Sequence, residues 1–360
     1  MRAQRFLIGA SIAAATMIVI VACGGSGSDN STGGGTQSGF SVTKLVADAS
    51  TTKYLNENEP AGHIDAALVN PWGIAFNPAG FVWVANNGTQ TSTLYDGNGN
   101  KQSLQVALPD MDPTGIVYNG TSSFGGSIFI FDGEGGILAA WSTGTSAQTK
   151  FTAADGAIYK GLAIANDGSG DFLYASDFHN AKVDVFDTNF ALQTPADFPF
   201  TDPSPPQAGF APFGIQNVNG QIIVAYAKQT PGSGDETAGA GLGYVDVFTP
   251  AGAFVKHLTT GGTLNAPWGI AMAPANFGAF SGDLLIGNFG DGKVNAFDPA
   301  TGNHVGTLQD STGADIAING LWGIAFGNGI ESQPTNALFF AAGANDEADG
   351  IYGKISCNGC

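Results

Sequence analysis

A six-residue phrase centred on glycine constrains this chain more than any other feature. It reads PWGIAF around Gly73, PTGIVY around Gly115, YKGLAI around Gly161, PFGIQN around Gly214, PWGIAM around Gly269 and LWGIAF around Gly323. The glycines stand 42, 46, 53, 55 and 54 residues apart. Periods of that size belong to repeat architectures, and the pattern inside each repeat decides which one. Each glycine is followed by a short apolar run, a Gly, Asn or Pro turn, and a second run such as FVWVAN, SIFIFD or DLLIGN. A third follows as KVDVFD or KVNAFD and a fourth as AFVKHL or HVGTL. Runs this short, rich in Val, Ile, Phe and Tyr and bounded by turn residues, are strands. Nothing carries an apolar stripe long enough for a surface helix. The predicted fold is therefore all-β: a six-bladed β-propeller over residues 40–356, with four-stranded antiparallel blades around a channel. Glycine at the anchor suits an innermost strand, where neighbouring backbones crowd together. The last repeat ends at IYGKI, one strand short. The segment GFSVTKLVAD, ahead of the first anchor, has strand composition and is predicted to pair into that last blade and lock the ring.

The N-terminus reads as an export signal: Arg2 and Arg5, then an apolar run from Phe6 to Ala22, then Cys23. Ile20, Val21, Ala22 and Cys23 resemble a bacterial lipobox, which implies a signal peptide over 1–22 and lipidation of Cys23; a plain secretory signal or a short anchor is the alternative. Residues 23–39, GGSGSDNSTGGGTQSG after the cysteine, form a flexible Gly/Ser tether. Gly24 fits sorting to an outer membrane, so the expected location is extracytoplasmic, on the cell envelope, with the membrane as a partner through the lipid. Arg2 and Arg5 are the chain's only arginines. Their loss with the signal takes the formal charge from −18 to −20. A surface that acidic and without guanidinium forks repels phosphate backbones, which excludes nucleic acid as a partner. Cys357 and Cys360, in ISCNGC, make a four-residue tail over 357–360. A zinc site would need two more ligands, so a small disulfide loop is the reading.

The phrases NPWGIAF, TSTLYDGNGNKQSL, PTGIVYNG, YKGLAI, GDLLIGNFGDGKVNAFDPATG and LWGIAFGNG resemble an uncharacterised bacterial family of exported propellers related to the NHL-repeat propellers. The resemblance spans about Val42 to Lys354. It implies a six-bladed fold and brings no activity with it. The chain departs from plain NHL repeats in its longer third to fifth blades, through the insert TPADFPFTDPSPPQAGFAP and the loop QTPGSGDETAGAGLG.

Function is written less plainly. Polar residues just past each second strand are placed to ring one channel mouth: Asn86, Asp132, Asp177, Lys228, Asn288 and Asn345, with Asn87, His179 and Asp346 beside them. Asn86, Asn87, Lys228, Asn288, Asn345 and Asp346 are the candidate ligand-binding residues. Asp132 and Asp177 are candidate ligands for a hard cation such as calcium, and His179 with Asp177 a candidate catalytic pair. The ring loosely resembles the calcium-dependent lactonase and gluconolactonase propellers, although no glutamate matches theirs near the first blade. Asn and Asp also cap turns wherever turns occur, which is the competing account. No G-x-S-x-G elbow is present, and GAGLG at Gly239 precedes no helix, so neither a serine triad nor a phosphate cradle is expected. Trp72, Trp268 and Trp322, with Phe213, precede four of the anchors. Repeated placement favours packing over ligand stacking. The expectation is a monomeric binding or scaffold module with a protein, glycan or small-molecule ligand at one mouth; the alternative is a calcium-dependent hydrolase or lyase.

Overall fold

Six sheets, antiparallel but for one short parallel pair at the chain's start, stand around one axis in the computed structural model, which describes residues 39–50 and 60–360. The signal, Cys23 and the tether up to Ser38 lie outside the described residues. Strands β1 (Phe40–Ala47) and β2 (His63–Ile64) precede the first repeat. Blade 1 contains β3 (Pro71–Phe76), β4 (Val82–Asn86), β5 (Thr91–Tyr95) and β6 (Lys101–Ala107). Blade 2 contains β7 (Pro113–Tyr118), β8 (Phe129–Gly133), β9 (Ile137–Trp141) and β10 (Gln148–Thr152). Blade 3 has β11 (Tyr159–Asn166), β12 (Asp171–Asp177) and β13 (Lys182–Phe186). Blade 4 has β14 (Phe210–Val218), β15 (Gln221–Gln229), the short β16 (Glu236–Thr237), β17 (Tyr244–Phe248) and β18 (Phe254–Thr260). Blade 5 has β19 (Pro267–Met272), β20 (Leu284–Asn288), β21 (Val294–Phe297) and β22 (His304–Thr307), and blade 6 has β23 (Leu321–Phe326), β24 (Ala337–Ala342) and β25 (Ile351–Cys357).

Burial explains the sequence pattern of each strand. Second strands such as β4, β8, β20 and β24 are buried along their whole length, because a neighbouring blade covers each face, and they read as unbroken apolar runs. Outer strands β6, β10 and β18 are largely exposed or alternate, because one edge and much of one face meet water. The hydrophobic core is accordingly divided into six inter-blade clusters, one between each adjacent pair of blades. A seventh, axial cluster gathers Trp72, Phe178, Phe213, Trp268 and Trp322.

The six anchor glycines sit where backbones meet. A Cβ on Gly73 would lie 2.6 Å from the Thr114 carbonyl oxygen, on Gly214 2.0 Å from that of Trp268, and on Gly269 2.6 Å from that of Trp322. On Gly323 it would lie 2.5 Å from the Trp72 carbonyl oxygen, which brings the ring back to blade 1. The repeated glycine is thus a ring of close inter-blade approaches.

Closure follows the prediction. β1 pairs antiparallel with β25, from Phe40 opposite Cys357 to Ala47 opposite Ile351, so the two ends of the chain complete blade 6. Leu45 and Val46 enter the core against Val82, Val84 and Tyr95 of blade 1. Asp65, just past β2, accepts hydrogen bonds from the Tyr95 hydroxyl at 2.7 Å and the Lys101 ammonium at 2.8 Å, which fastens the closing strand to blade 1. Cys357 and Cys360 are joined as a disulfide at the end of β25.

Blade 3 differs from the expected four strands. Its sheet has three, and the place of the fourth is taken by the insert, where Pro195, Pro199, Pro203, Pro205 and Pro206 cannot donate to a ladder. Aromatic packing holds the insert instead. Phe198 lies 4.7 Å from Phe172, and Phe200 lies 5.5 Å from Tyr174 and 5.2 Å from Phe248, ring centre to ring centre.

Candidate ligand site at the channel mouth

The channel itself is nearly closed. A cavity of about 30 Å³ lies among Ile74, Ile116, Leu162, Ile215, Ile270 and Ile324, the residues that follow the anchor glycines. That is room for a water or two and not for a ligand. Below one mouth the residues that precede the glycines converge on the axis. Trp72 and Trp322 stack with centroids 3.4 Å apart, Trp268 meets both edge-on at 6.0 and 5.8 Å, and Phe289 stacks on Trp322 at 4.0 Å. The repeated tryptophans therefore pack, as the sequence favours, and do so on one another at the axis. They plug it.

Lys160 occupies the equivalent position in blade 3, and its side chain is only 2 % exposed. A buried ammonium needs charge partners. Its Nζ pairs with Glu134 Oε1, lies 5.1 Å above the Trp72 ring and 6.0 Å from Phe178, while its carbonyl accepts the Trp268 indole N–H at 2.6 Å. Glu134 Oε2 accepts from Asn87 Nδ2 at 2.9 Å, Asn87 Oδ1 from Asn70 Nδ2 at 3.3 Å, and Asn70 Oδ1 from the Trp322 indole at 3.3 Å. A polar circuit thus covers the aromatic plug.

Two more carboxylates face it from other blades. Glu236 comes from β16 of the long blade-4 loop, and Glu347 from the loop between β24 and β25. Burial by itself would lower the Lys160 pKa, but the charges of Glu134 and Glu236 hold it above the usual lysine value. Burial raises the Glu236 carboxyl, against the pull of Lys160. Burial, reinforced by the charge of Glu236, pushes Glu347 up to about 7. Three glutamates around one lysine leave the mouth negative, and the Glu347 carboxyl has no hydrogen-bond partner among the described residues.

The predicted site residues divide around this centre. Asn87 belongs to the circuit. Asn86, Asp132, Asp177 and Asn288 are fully buried at the ends of the second strands. Asn86 Nδ2 donates to Thr91 and Thr93, Asn288 Nδ2 to the Thr263 carbonyl, and Asp132 Oδ1 accepts from Thr114 Oγ1 and the Gly115 N–H. Asp177 accepts from the Ile158 and Asn180 backbones and from Asn180 Nδ2. Burial pushes the Asp132 carboxyl up to about 7. His179 is exposed on the following loop, beyond Phe178, which turns to the axis. Lys228 pairs in register with Phe210 and Thr237, and Asn345 and Asp346 lie in the blade-6 loop that carries Glu347. Glu134, Lys160, Glu236 and Glu347 were not among the sequence candidates. Lys160 had a signal: it stands in the column occupied by Trp, Thr or Phe in the other five repeats.

A recess of about 850 Å³ between blades 5 and 6 is larger, but its wall, which mixes apolar residues such as Phe40, Ile316 and Phe340 with polar ones such as Lys44, Asp291 and Asp310, includes none of the Lys160 cluster.

Two viral proteins resemble the chain over most of its length. Uncharacterized protein R648 of Acanthamoeba polyphaga mimivirus is 33 % identical over 323 residues, 83 % of this chain and 78 % of the relative. Uncharacterized protein L690 of the same virus is 32 % identical over 325 residues, 83 % of each. The chain belongs to their family. No protein-family model matches it. Among solved structures it resembles the apo form of the soluble aldose sugar dehydrogenase of Escherichia coli, with a TM-score of 0.58 and 15 % identity over 89 % of this chain and all of that one. It also resembles a streptogramin B lyase, with a TM-score of 0.51 and 12 % identity over 89 % of this chain and 98 % of that one. At such identities the likeness is one of β-propeller fold.

Proposed function

We propose that this family member is a lipid-anchored, extracytoplasmic propeller that binds a small organic cation at the mouth above Lys160. The observation that carries the reading is the half-buried Glu347 carboxyl, which faces the Lys160 cluster without a hydrogen-bond partner among the described residues. An unpartnered acceptor beside Glu236 and Glu134 attracts donors and positive charge, and the formal charge of −18 steers cations to it. The Lys160 ammonium, set over Trp72 and paired with Glu134, shows how this mouth already accommodates one such group. The lipobox-like IVAC and the Gly/Ser tether support the anchored, envelope location.

A calcium-dependent hydrolase or lyase built on Asp132, Asp177 and His179 would find one bare buried oxygen, Asp132 Oδ2, but Asp177 would have to give up Ile158 and Asn180, and His179 stands exposed on the loop beyond. The geometry therefore favours binding over catalysis.

The test is calorimetric titration of the purified chain with a diamine, a quaternary ammonium compound, neutral sugars and a dicarboxylate. The cations are expected to bind, with affinity reduced more than about tenfold in a Glu236→Gln/Glu347→Gln double variant, a loss of about 1.4 kcal/mol. Binding of sugars or dicarboxylates alone would refute the cation reading.

A further inference from the structure

The blade-3 insert ends beside a second cluster of ionisable groups, far from the Lys160 circuit in sequence and set on the outer strands of blade 4. Asp246 in β17 and His257 in β18 are register partners, and His257 Nδ1 lies 2.7 Å from Asp246 Oδ1. Asp202 arrives from the insert. One of its oxygens accepts the Ser204 N–H at 2.8 Å, and the other lies 3.4 Å from His257 Nε2, which is also 3.0 Å from the Ser204 carbonyl. The Asp246 and Asp202 side chains are 0 % and 5 % exposed.

Each aspartate keeps one buried oxygen, Oδ2, without a hydrogen bond. Bare carboxylate oxygens inside a protein are costly, and two of them on the aspartates that flank one imidazole call for a partner. A protonated His257 satisfies Asp246 Oδ1 and the Ser204 carbonyl but leaves both Oδ2 atoms without a hydrogen bond. One ligand atom from each of Asp202, Asp246 and His257 lies within 4.8 Å of the others. The His257 ring stands between the two carboxylates, Nδ1 towards Asp246 and Nε2 towards Asp202. Tetrahedral ligands of a zinc ion stand about 3.3 Å apart, so the shell closes when the imidazole turns to offer one nitrogen to an ion held between the aspartates.

We propose that Asp202, Asp246 and His257 form a divalent-cation site that fastens the blade-3 insert to the outer edge of blade 4. Two carboxylates neutralise the ion, the imidazole selects a zinc-like metal over calcium, and the Ser204 carbonyl or a water can supply a fourth position. The role is structural. Blade 3 lacks an outer strand, and the proline-rich segment in its place has little ladder bonding, so an ion joining it to β17 and β18 supplies the missing connection.

The test uses the full chain, stripped with chelator and titrated calorimetrically with zinc chloride and, separately, with calcium chloride. One zinc per chain is expected, with weaker calcium binding and slower chymotryptic cleavage after Phe200 in the zinc-loaded protein. Asp202→Asn and His257→Gln should each weaken zinc binding more than about tenfold, while His304→Gln leaves it unchanged. Asp202 lies on the insert, outside the blade ladders, so its variant remains informative if His257→Gln disturbs β18. No zinc binding by the wild-type chain, or wild-type affinity in both ligand variants, would overturn the site.

Discussion

Glu347 is the residue whose environment most directly couples structure to solution behaviour. Burial and the neighbouring Glu236 raise its carboxyl from the model-compound value of 4.5 to about 7. A carboxyl with a raised folded-state pKa binds its proton more tightly when folded. Its contribution to stability is therefore complete below about pH 4.5 and is lost as pH rises through about 7. Wild-type protein should thus lose urea resistance relative to Glu347→Gln between about pH 5 and about pH 8, and parallel curves would show that the group does not titrate there. The same ionisation should tighten binding of an ammonium ligand across that interval. At the axis, Gly214 faces the Trp268 carbonyl oxygen so closely that Gly214→Ala must displace backbone. It should destabilise the fold by about 3 kcal/mol in denaturant titrations, the upper range for overpacking a rigid site.

Among the elements, β1 shows how a local pattern becomes a tertiary device. Val42, Leu45 and Val46 were enough to mark it as a strand that could complete the last blade. Its register with β25 and its contact with blade 1 were decided by the fold. Val46 is fully buried, and Val46→Ala should cost about 2 kcal/mol by the transfer and cavity terms together, read as a shift in denaturation midpoint without a change in slope. The fourth strand of blade 3 was not legible as missing. The insert carries enough Phe to resemble a strand, and only the five prolines from Pro195 to Pro206, set against the aromatic packing of Phe198 and Phe200, turn it into an irregular strap.

For the molecule as a whole, closure joins the six inter-blade clusters into one ring, since β1 and β25 come from opposite ends of the described chain. Cooperative melting should follow: one calorimetric transition for the intact chain, against several for a chain lacking residues 39–48. That truncation would also leave β25 as a bare edge, and light scattering should report association. A single, unaltered transition in the truncated protein would mean that β1 contributes little to closure.

Six glycine phrases 42 to 55 residues apart, each followed by short β-branched runs, determined the propeller, because period and strand length are local properties written in the order of the residues. The same local reading found Asn87 and the column of axial tryptophans. It could not find Glu134, Glu236 and Glu347 together, because they stand in three loops of different blades and meet only when the ring closes around Lys160. It also placed Asp132, Asp177 and Asn288 near a mouth without showing that Asp177 and Asn288 are engaged by their own turns while Asp132 keeps Oδ2 without a hydrogen bond. Position along a strand is written in sequence; which oxygen keeps a free lone pair depends on every neighbour that folding brings within about 3 Å, and that is decided by tertiary structure.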